Sequence, residues 1–201
     1  KRQNHDQSFA DYLAEPRLLK LCTALLGHDI RISFTSVIIN QPGNLRGGWH
    51  ADWPFNQNNA GHIPAPYPDF CIHLTTLWMI SPFTDENGGT LIVPGSHRSP
   101  TNPTGNNGSE PLDSLPTEMQ VRGPAGSVLV MDPRVWHSNA ASPSDRPRTA
   151  VVVRYAPWWL NLELHGVNTA TIPGKVFDTF PDEVKVLYEH RAQDRENKVW
   201  I

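Results

Sequence analysis

Residues 86–97 read Glu-Asn-Gly-Gly-Thr-Leu-Ile-Val-Pro-Gly-Ser-His, and this stretch says most about how the chain folds. An Asn-Gly-Gly turn leads into a run of β-branched and aliphatic residues, which Pro94-Gly95 ends. Short apolar runs bounded by Gly, Pro and Asn are typical of strands in antiparallel sheets. The stretch therefore predicts a short strand over residues 90–93 with a tight turn at each end.

Further strands are predicted on both sides of this stretch. Residues 30–40 alternate with period two, and further strands are predicted over 70–80, 127–131, 136–139 and 148–155. Helices are predicted over residues 8–27, interrupted at Pro16, and over about 181–193, because proline is favoured at the first helical position. Residues 99–116 are polar and predict a long surface loop. We expect one mainly β domain over residues 1–201, an antiparallel barrel or sandwich with flanking helices.

The composition argues against several classes of function. The chain has 201 residues, 19 prolines and a net charge of −3 with scattered basic residues, which argues against binding to nucleic acid. Cys22 and Cys71 make neither a disulfide framework nor a cysteine-based zinc site, so we expect a reducing, cytoplasmic location. No apolar run is long enough to predict a membrane span. The chain begins at Lys1 without an initiator methionine, and we expect that sequence precedes it.

A possible metal site comes from His50-Ala51-Asp52, which follows a glycine-rich loop. Residues i and i+2 of an extended chain point to the same side, so this imidazole and this carboxylate could converge. His137 lies in a short predicted strand far downstream, and two histidines with one carboxylate form the facial triad that holds Fe(II). H-x-D triplets are common by chance, so an ordinary surface or core role stays open for each histidine.

A second signal is Arg148, which opens the β-branched run of residues 148–153. A buried arginine is costly unless a carboxylate meets it, and the paired guanidinium and carboxylate form a strong, directional contact. A dicarboxylic co-substrate could therefore bind the metal at one end and Arg148 at the other. Arg154 lies on the same face of the strand by parity and is the competing candidate.

The chain resembles the phytanoyl-CoA dioxygenase family of Fe(II)/2-oxoglutarate-dependent oxygenases over about residues 30–157. Residues 86–97 are similar to that family's NG…L…PGSH signature, and residues 126–131, Trp136-His137 and Arg148 follow in the family's order. The resemblance implies a double-stranded β-helix (a jelly roll, cupin-like) with flanking α-helices. It also implies Fe(II), O₂ and 2-oxoglutarate as cofactors and co-substrate, and hydroxylation of a substrate with release of succinate and CO₂.

The resemblance also implies roles for particular residues. His50, Asp52 and His137 would bind iron, and Arg148 would bind the distal carboxylate of 2-oxoglutarate. Further co-substrate contacts are expected from residues near that site: Trp78, Val37 and Asn139 by the resemblance, and Asn40 and Ser36 by strand alternation. Asn139 stands where many members have serine, and His97, in the signature turn, is expected to be structural. The candidate substrate contacts are Trp53, Phe55 and Arg46.

Other functions stay open at this point. Related halogenases replace the metal carboxylate with alanine or glycine, which Asp52 disfavours, and a metal-binding isomerase or a ligand-binding module would use the same fold. The basic residues Arg46, Arg98 and Arg134 are isolated, so no cluster for coenzyme A is evident. We expect a small free molecule as substrate, no nucleic-acid or membrane partner, and a monomer or weak homo-oligomer.

Overall fold

The computed structural model describes residues 6–53, 68–101, 103, 112–160 and 171–193. The strands are β1 (Ile30–Asn40), β2 (Leu74–Met79), β3 (Thr90–Ile92), β4 (Met119–Gln120), β5 (Val128–Met131), β6 (His137–Asn139) and β7 (Arg148–Pro157). The helices are α1 (Pro16–Leu26), α2 (Gly174–Phe177) and α3 (Asp182–Tyr188), with 3₁₀ turns at Ala10–Tyr12, Ser96–Arg98 and Glu189–Arg191. Phe55 and half of the predicted 99–116 loop lie outside the described residues.

The strands form two sheets, which confirms the mainly β prediction. One sheet has the order β1-β7-β2-β5 and the other the order β4-β3-β6. β2 runs antiparallel to β5, with Thr75 opposite Met131, and β3 runs antiparallel to both β4 and β6. Among the helices of the described part of the chain, none has the length and apolar character needed to cross a membrane.

The observed elements differ from the predicted ones mainly at their ends. β1 has the predicted bounds, whereas the run at 70–80 forms a strand only over Leu74–Met79. The stretch before Pro16 forms a single 3₁₀ turn instead of a helix, and the final helix is α3 followed by another 3₁₀ turn. Neither α2 nor β4 was predicted, because elements of four and two residues are too short to show a period.

The chain divides into two compact units, of which one covers residues 37–153. Its apolar core includes a cluster of Trp49, Leu91, Val93 and Ala140. Trp49 is fully buried, and its indole Nε1 donates to the carbonyl of Asp113 at 2.7 Å. A buried indole whose N–H has a partner is a rigid anchor. This contact fixes the chain immediately before His50.

The other unit comprises residues 1–36 and 154–201, of which 6–36, 154–160 and 171–193 are described. α1 begins at Pro16, where the side chain of Glu15 accepts a hydrogen bond from the backbone of Leu18 at 2.9 Å. Gly27 ends this helix at φ +90°, a conformation that side chains with a Cβ rarely adopt. The helix therefore starts and stops where proline and glycine predicted it.

Tyr155 is one of the buried polar side chains of this unit. It is fully buried, and its hydroxyl donates to the carbonyl of Leu13 at 2.8 Å. Burial raises the pKa of Tyr155 well above its ordinary value, so the hydroxyl stays protonated and remains a donor. The residue thus ties the end of β7 to the segment that precedes α1.

We expect Tyr155→Phe to lower the free energy of unfolding by about 1–3 kcal/mol, because the Leu13 carbonyl loses its buried donor. Urea unfolding measures the change. Tyr12→Phe is the matched control, since Tyr12 is 56% exposed and the same deletion should cost less than about 0.5 kcal/mol there. Equal effects of the two substitutions would contradict the assigned role of the Tyr155 hydroxyl.

Candidate metal centre

An isolated antiparallel β-bridge brings the two histidines together. The backbone N–H of His50 donates to the carbonyl of His137 at 3.0 Å, and that of His137 donates to the carbonyl of His50 at 2.8 Å. The centroids of the two rings lie 4.2 Å apart. The backbone therefore sets the distance between two side chains that are far apart in the sequence.

Asp52 is held through its backbone and through its side chain. Its N–H donates to the carbonyl of Pro133 at 2.8 Å, which places the residue beside the turn between β5 and β6. Carboxylate Oδ2 accepts a hydrogen bond from Thr75 Oγ1 at 2.7 Å, and Oδ1 lies 3.9 Å from His137 Nε2. The predicted convergence of His50 and Asp52 on one point is thus observed as geometry.

The histidine rings are oriented by nearby carbonyls. His137 Nδ1 lies 2.8 Å from the carbonyl of Val135, and His50 Nδ1 lies 3.2 Å from that of Gly48. When Nδ1 donates to a carbonyl, Nε2 carries the lone pair that can bind a metal. One candidate ligand atom from each residue of the triad (His50, Asp52 and His137) lies within 4.8 Å of the other two. Two imidazoles and one carboxylate are a donor set that fits Fe(II) with positions left open.

Arg148 is a buried cation with few partners. It is 2% exposed, Nη2 donates to the carbonyl of Gly88 at 2.7 Å, and the guanidinium lies 4.5 Å from the ring centroid of Phe83. Its Nε is buried without a hydrogen-bond partner, and none of the described carboxylates forms an ion pair with it. Burial lowers the pKa of Arg148 to about 10, so the group is still charged at neutral pH. These properties suit a carboxylate-bearing ligand.

The carbonyl that anchors Arg148 belongs to the turn of the signature stretch. Gly88 O accepts a second hydrogen bond from Asn40 Nδ2 at 3.2 Å, and Asn40 Oδ1 accepts one from Asn44 at 2.6 Å. Gly88 has φ +70°, and a Cβ there would lie 1.8 Å from Asn40 Nδ2. The amide of Asn40 is therefore occupied in holding this turn, which argues against the direct co-substrate contact expected from strand alternation.

The guanidinium of Arg46 is also bound by the protein itself. Its Nη1 and Nη2 donate to the two carboxylate oxygens of Glu118 at 2.9 and 2.6 Å, and the guanidinium lies 5.1 Å from the centroid of Trp49. The hydrogen bonds from Arg46 lower the pKa of Glu118. A guanidinium that is paired in this way is poorly available to a substrate. These contacts suit a structural role for Arg46, and its expected substrate contact stays a prediction.

The other expected contacts are placed as follows. Asn139 donates to the carbonyls of Leu45 and Ala140 at 3.2 and 3.3 Å, so its amide nitrogen supports the loop before His50, and its expected co-substrate contact stays a prediction. Trp78 is buried, and its indole Nε1 donates to the hydroxyl of Thr76 at 3.1 Å. Because side chains alternate along a strand, Trp78 lies on the face of β2 opposite to Thr75. Ser36, Val37 and Trp53 are half-buried, and their roles stay predictions.

Two features of the site could not be found from the sequence. The first is the hydrogen bond from Thr75 to Asp52, a residue in a distant segment. The sequence pattern of the strand does not indicate which of its threonines makes this bond. The turn that holds Asp52 is braced by Arg134, whose Nε and Nη2 donate to the two oxygens of Asp132 at 2.9 and 2.8 Å. Asp132 is therefore already paired and is a poor alternative to Asp52 as a metal ligand.

The fold and the site together define the class of protein: a double-stranded β-helix with a candidate metal centre of two histidines and one carboxylate. The solved structure of HygX from Streptomyces hygroscopicus, with nickel and 2-oxoglutarate bound, is similar at a TM-score of 0.64 and 17% identity, over 79% of this chain and 71% of that one. EctD from S. alaskensis, in its apoform, has a TM-score of 0.59 and 21% identity, over 76% and 55% of the two chains. These likenesses establish the fold.

Residues 1–150 match the family described as phytanoyl-CoA dioxygenase (PhyH), and the chain belongs to that family. Dioxygenase af480 from Aspergillus fumigatus is 29% identical over 185 residues, which are 90% of this chain and 55% of that protein. Dioxygenase andF from Emericella variicolor is 28% identical over 153 residues, which are 73% and 49% of the two chains. The chain thus spans about half the length of these curated relatives.

We expect His137→Ala to lower the affinity for Fe(II) by at least about 100-fold, because the triad already has the minimum number of protein ligands. Anaerobic titration of the apoprotein with Fe(II) measures this, and circular dichroism checks the fold. His97→Ala is the matched control, since His97 lies in the 3₁₀ turn after β3 and should not affect binding. Unchanged Fe(II) affinity in His137→Ala would remove His137 from the site.

Proposed function

We propose that this chain carries the active site of an Fe(II)- and 2-oxoglutarate-dependent oxygenase that hydroxylates a small organic substrate and releases succinate and CO₂. The observation that carries the proposal is the combination of the triad with Arg148. One part can hold a divalent cation, and the other is a buried guanidinium whose Nε has no hydrogen-bond partner. A 2-oxo dicarboxylate has a chelating end and a distal carboxylate, which match these two parts.

His50, Asp52 and His137 would hold the metal from one side and leave the opposite positions open for ligands. Bound Fe(II) would supply the chemistry that activates O₂ together with the 2-oxo acid. The protein contributes the geometry. Carbonyls of Gly48 and Val135 orient the imidazoles, and the β-bridge keeps them at a constant separation. Such prior organisation avoids rearrangement when ligands bind.

Arg148 would bind and orient the distal carboxylate of the co-substrate. Its guanidinium has already lost most of its water, so a carboxylate that arrives there forms a hydrogen-bonded ion pair in a dry environment. The bond to Gly88 and the contact with Phe83 restrict the rotation of the side chain. Arg148 is therefore proposed to determine both the affinity and the orientation of 2-oxoglutarate.

The side chains near the triad favour a substrate without a large anionic group. Trp53 follows Asp52 directly, and its ring centroid lies 6.4 Å from that of Phe70. Arg46 and Arg134, two basic residues near the site in sequence, are both paired with carboxylates. We therefore propose a small, largely apolar organic molecule rather than an acyl-coenzyme A, with Trp53 as a contact. Phe55, the other aromatic candidate, lies outside the described residues.

Turnover of 2-oxoglutarate tests the proposal. The protein supplied with Fe(II), O₂ and 2-oxoglutarate should release succinate, and omission of Fe(II) or O₂ should abolish the release. A panel of small apolar molecules should then stimulate release if it includes a substrate. Metal binding without any succinate would favour the alternative functions, a ligand-binding module or an isomerase. A halogenase is disfavoured because Asp52 occupies the position that a halide would need.

We expect Arg148→Ala to raise the dissociation constant for 2-oxoglutarate by about 30- to 4,000-fold, since loss of a buried charged partner costs about 2–5 kcal/mol. Arg148→Lys should recover only part of the affinity, because an ammonium lacks the planar fork of donors. The measurement is calorimetry on metal-loaded protein under anaerobic conditions.

Arg154→Ala is the matched control for this prediction. Arg154 lies on the same strand, and its guanidinium is 4.9 Å from the ring centroid of Phe34. Its removal should leave the affinity for 2-oxoglutarate close to that of the wild type. The reverse pattern, with Arg154→Ala impaired and Arg148→Ala unaffected, would show that Arg154 is the residue that binds the co-substrate.

A further inference from the structure

We propose that Thr75 is a positioning residue that holds Asp52 as a one-oxygen ligand of the metal. The inference rests on the proposed function only in its use of a divalent metal at the triad. Thr75 lies within β2, opposite Met131 of β5, and is 1% exposed. Its hydroxyl donates to Asp52 Oδ2 at 2.7 Å, the ordinary length of an O–H···O hydrogen bond.

The two oxygens of Asp52 consequently have different surroundings. Oδ2 accepts the hydrogen bond from Thr75, whereas Oδ1 is the oxygen that lies 3.9 Å from His137 Nε2. A carboxylate can bind a cation through one oxygen or through both. A hydrogen bond that engages Oδ2 favours the first mode and keeps Oδ1 directed towards the histidines. The hydroxyl thus acts on the metal through Asp52, without touching it.

The position of Asp52 makes this hydrogen bond effective. The backbone N–H of Asp52 is bonded to Pro133 at 2.8 Å, so the main chain is fixed and the carboxylate retains only its own rotation. The side chain is 4% exposed, which leaves little water to replace the threonine. Partners of this kind in metal sites typically contribute about 10- to 100-fold in metal affinity.

Thr76 provides the contrast. It is equally buried and adjacent in the strand, but its hydroxyl donates to the carbonyl of Val153 at 3.0 Å and accepts from Trp78 Nε1 at 3.1 Å. Those bonds connect parts of the sheet and its core. Two neighbouring threonines in one strand therefore allow a hydroxyl bonded to the triad to be compared with a hydroxyl of purely structural function.

The test is anaerobic titration of the apoprotein with Fe(II), without 2-oxoglutarate or O₂. Thr75→Val keeps the shape and removes the donor, and we expect a loss of about 10- to 100-fold in Fe(II) affinity. Thr76→Val should lower the melting temperature and leave Fe(II) affinity unchanged. X-ray absorption of the metal-loaded Thr75→Val protein should show an added short metal–oxygen contact, which a merely structural role would not produce.

A second pair of variants keeps the test decisive if Thr75→Val does not fold. Thr75→Ser and Thr75→Ala both lose the methyl group and differ from each other only by the hydroxyl. Thr75→Ser should bind Fe(II) nearly as tightly as the wild type, and Thr75→Ala should bind it about 10- to 100-fold more weakly. Equal affinities in this pair, or an equal loss in Thr75→Val and Thr76→Val, would overturn the proposal.

The titration separates this proposal from the proposed function. Wild-type protein that binds Fe(II) but releases no succinate would refute the oxygenase. The ratio of affinities between Thr75→Ser and Thr75→Ala would still decide the role of the hydroxyl. Conversely, an active oxygenase whose Fe(II) affinity does not respond to Thr75 would refute the positioning role alone.

Discussion

The site depends on two backbone hydrogen bonds that join His50 and His137. Because they are backbone bonds, they fix the separation of the two imidazoles without using either side chain. The carbonyl of Pro133 then places Asp52 on the same side, and the pairing of Arg134 with Asp132 braces the turn that offers this carbonyl. A metal site assembled in this way is preorganised by sheet geometry, and its side chains remain available for chemistry.

Two buried ionisable side chains at the site, Asp52 and Arg148, have different surroundings. The carboxylate of Asp52 accepts a hydrogen bond from a hydroxyl and lies beside a histidine ring. The guanidinium of Arg148 donates to one carbonyl and lies over an aromatic ring. A buried charge without a counterion is unfavourable, and the lowered pKa of Arg148 reflects that cost. A bound carboxylate would relieve it, so the proposed co-substrate would also stabilise the folded protein.

The sequence indicated the candidate site residues, but not the residues that hold them in place. Turn residues and period-two patterns located most strands, and the resemblance identified the triad and Arg148 as candidates. Asn40, Asn139 and Arg46 were candidates for ligand contacts, and each is hydrogen-bonded to the protein. Alternation along a strand, which suggested Asn40, does not reveal which partners a polar group finds across the fold. Thr75 could not be singled out for the same reason: its partner lies in a distant segment.

The carbonyl of Gly88 has a consequence for how this family of sites can change in evolution. It accepts hydrogen bonds from both Arg148 and Asn40, and the amide of Asn40 occupies the space that a side chain at position 88 would need. A Cβ at position 88 would also lie 2.9 Å from the carbonyl of Ala140, so a smaller residue at 40 would not by itself make room for one. Position 88 is therefore expected to remain glycine wherever this turn is kept, because Asn40 and Arg148, far apart along the chain, both depend on its carbonyl.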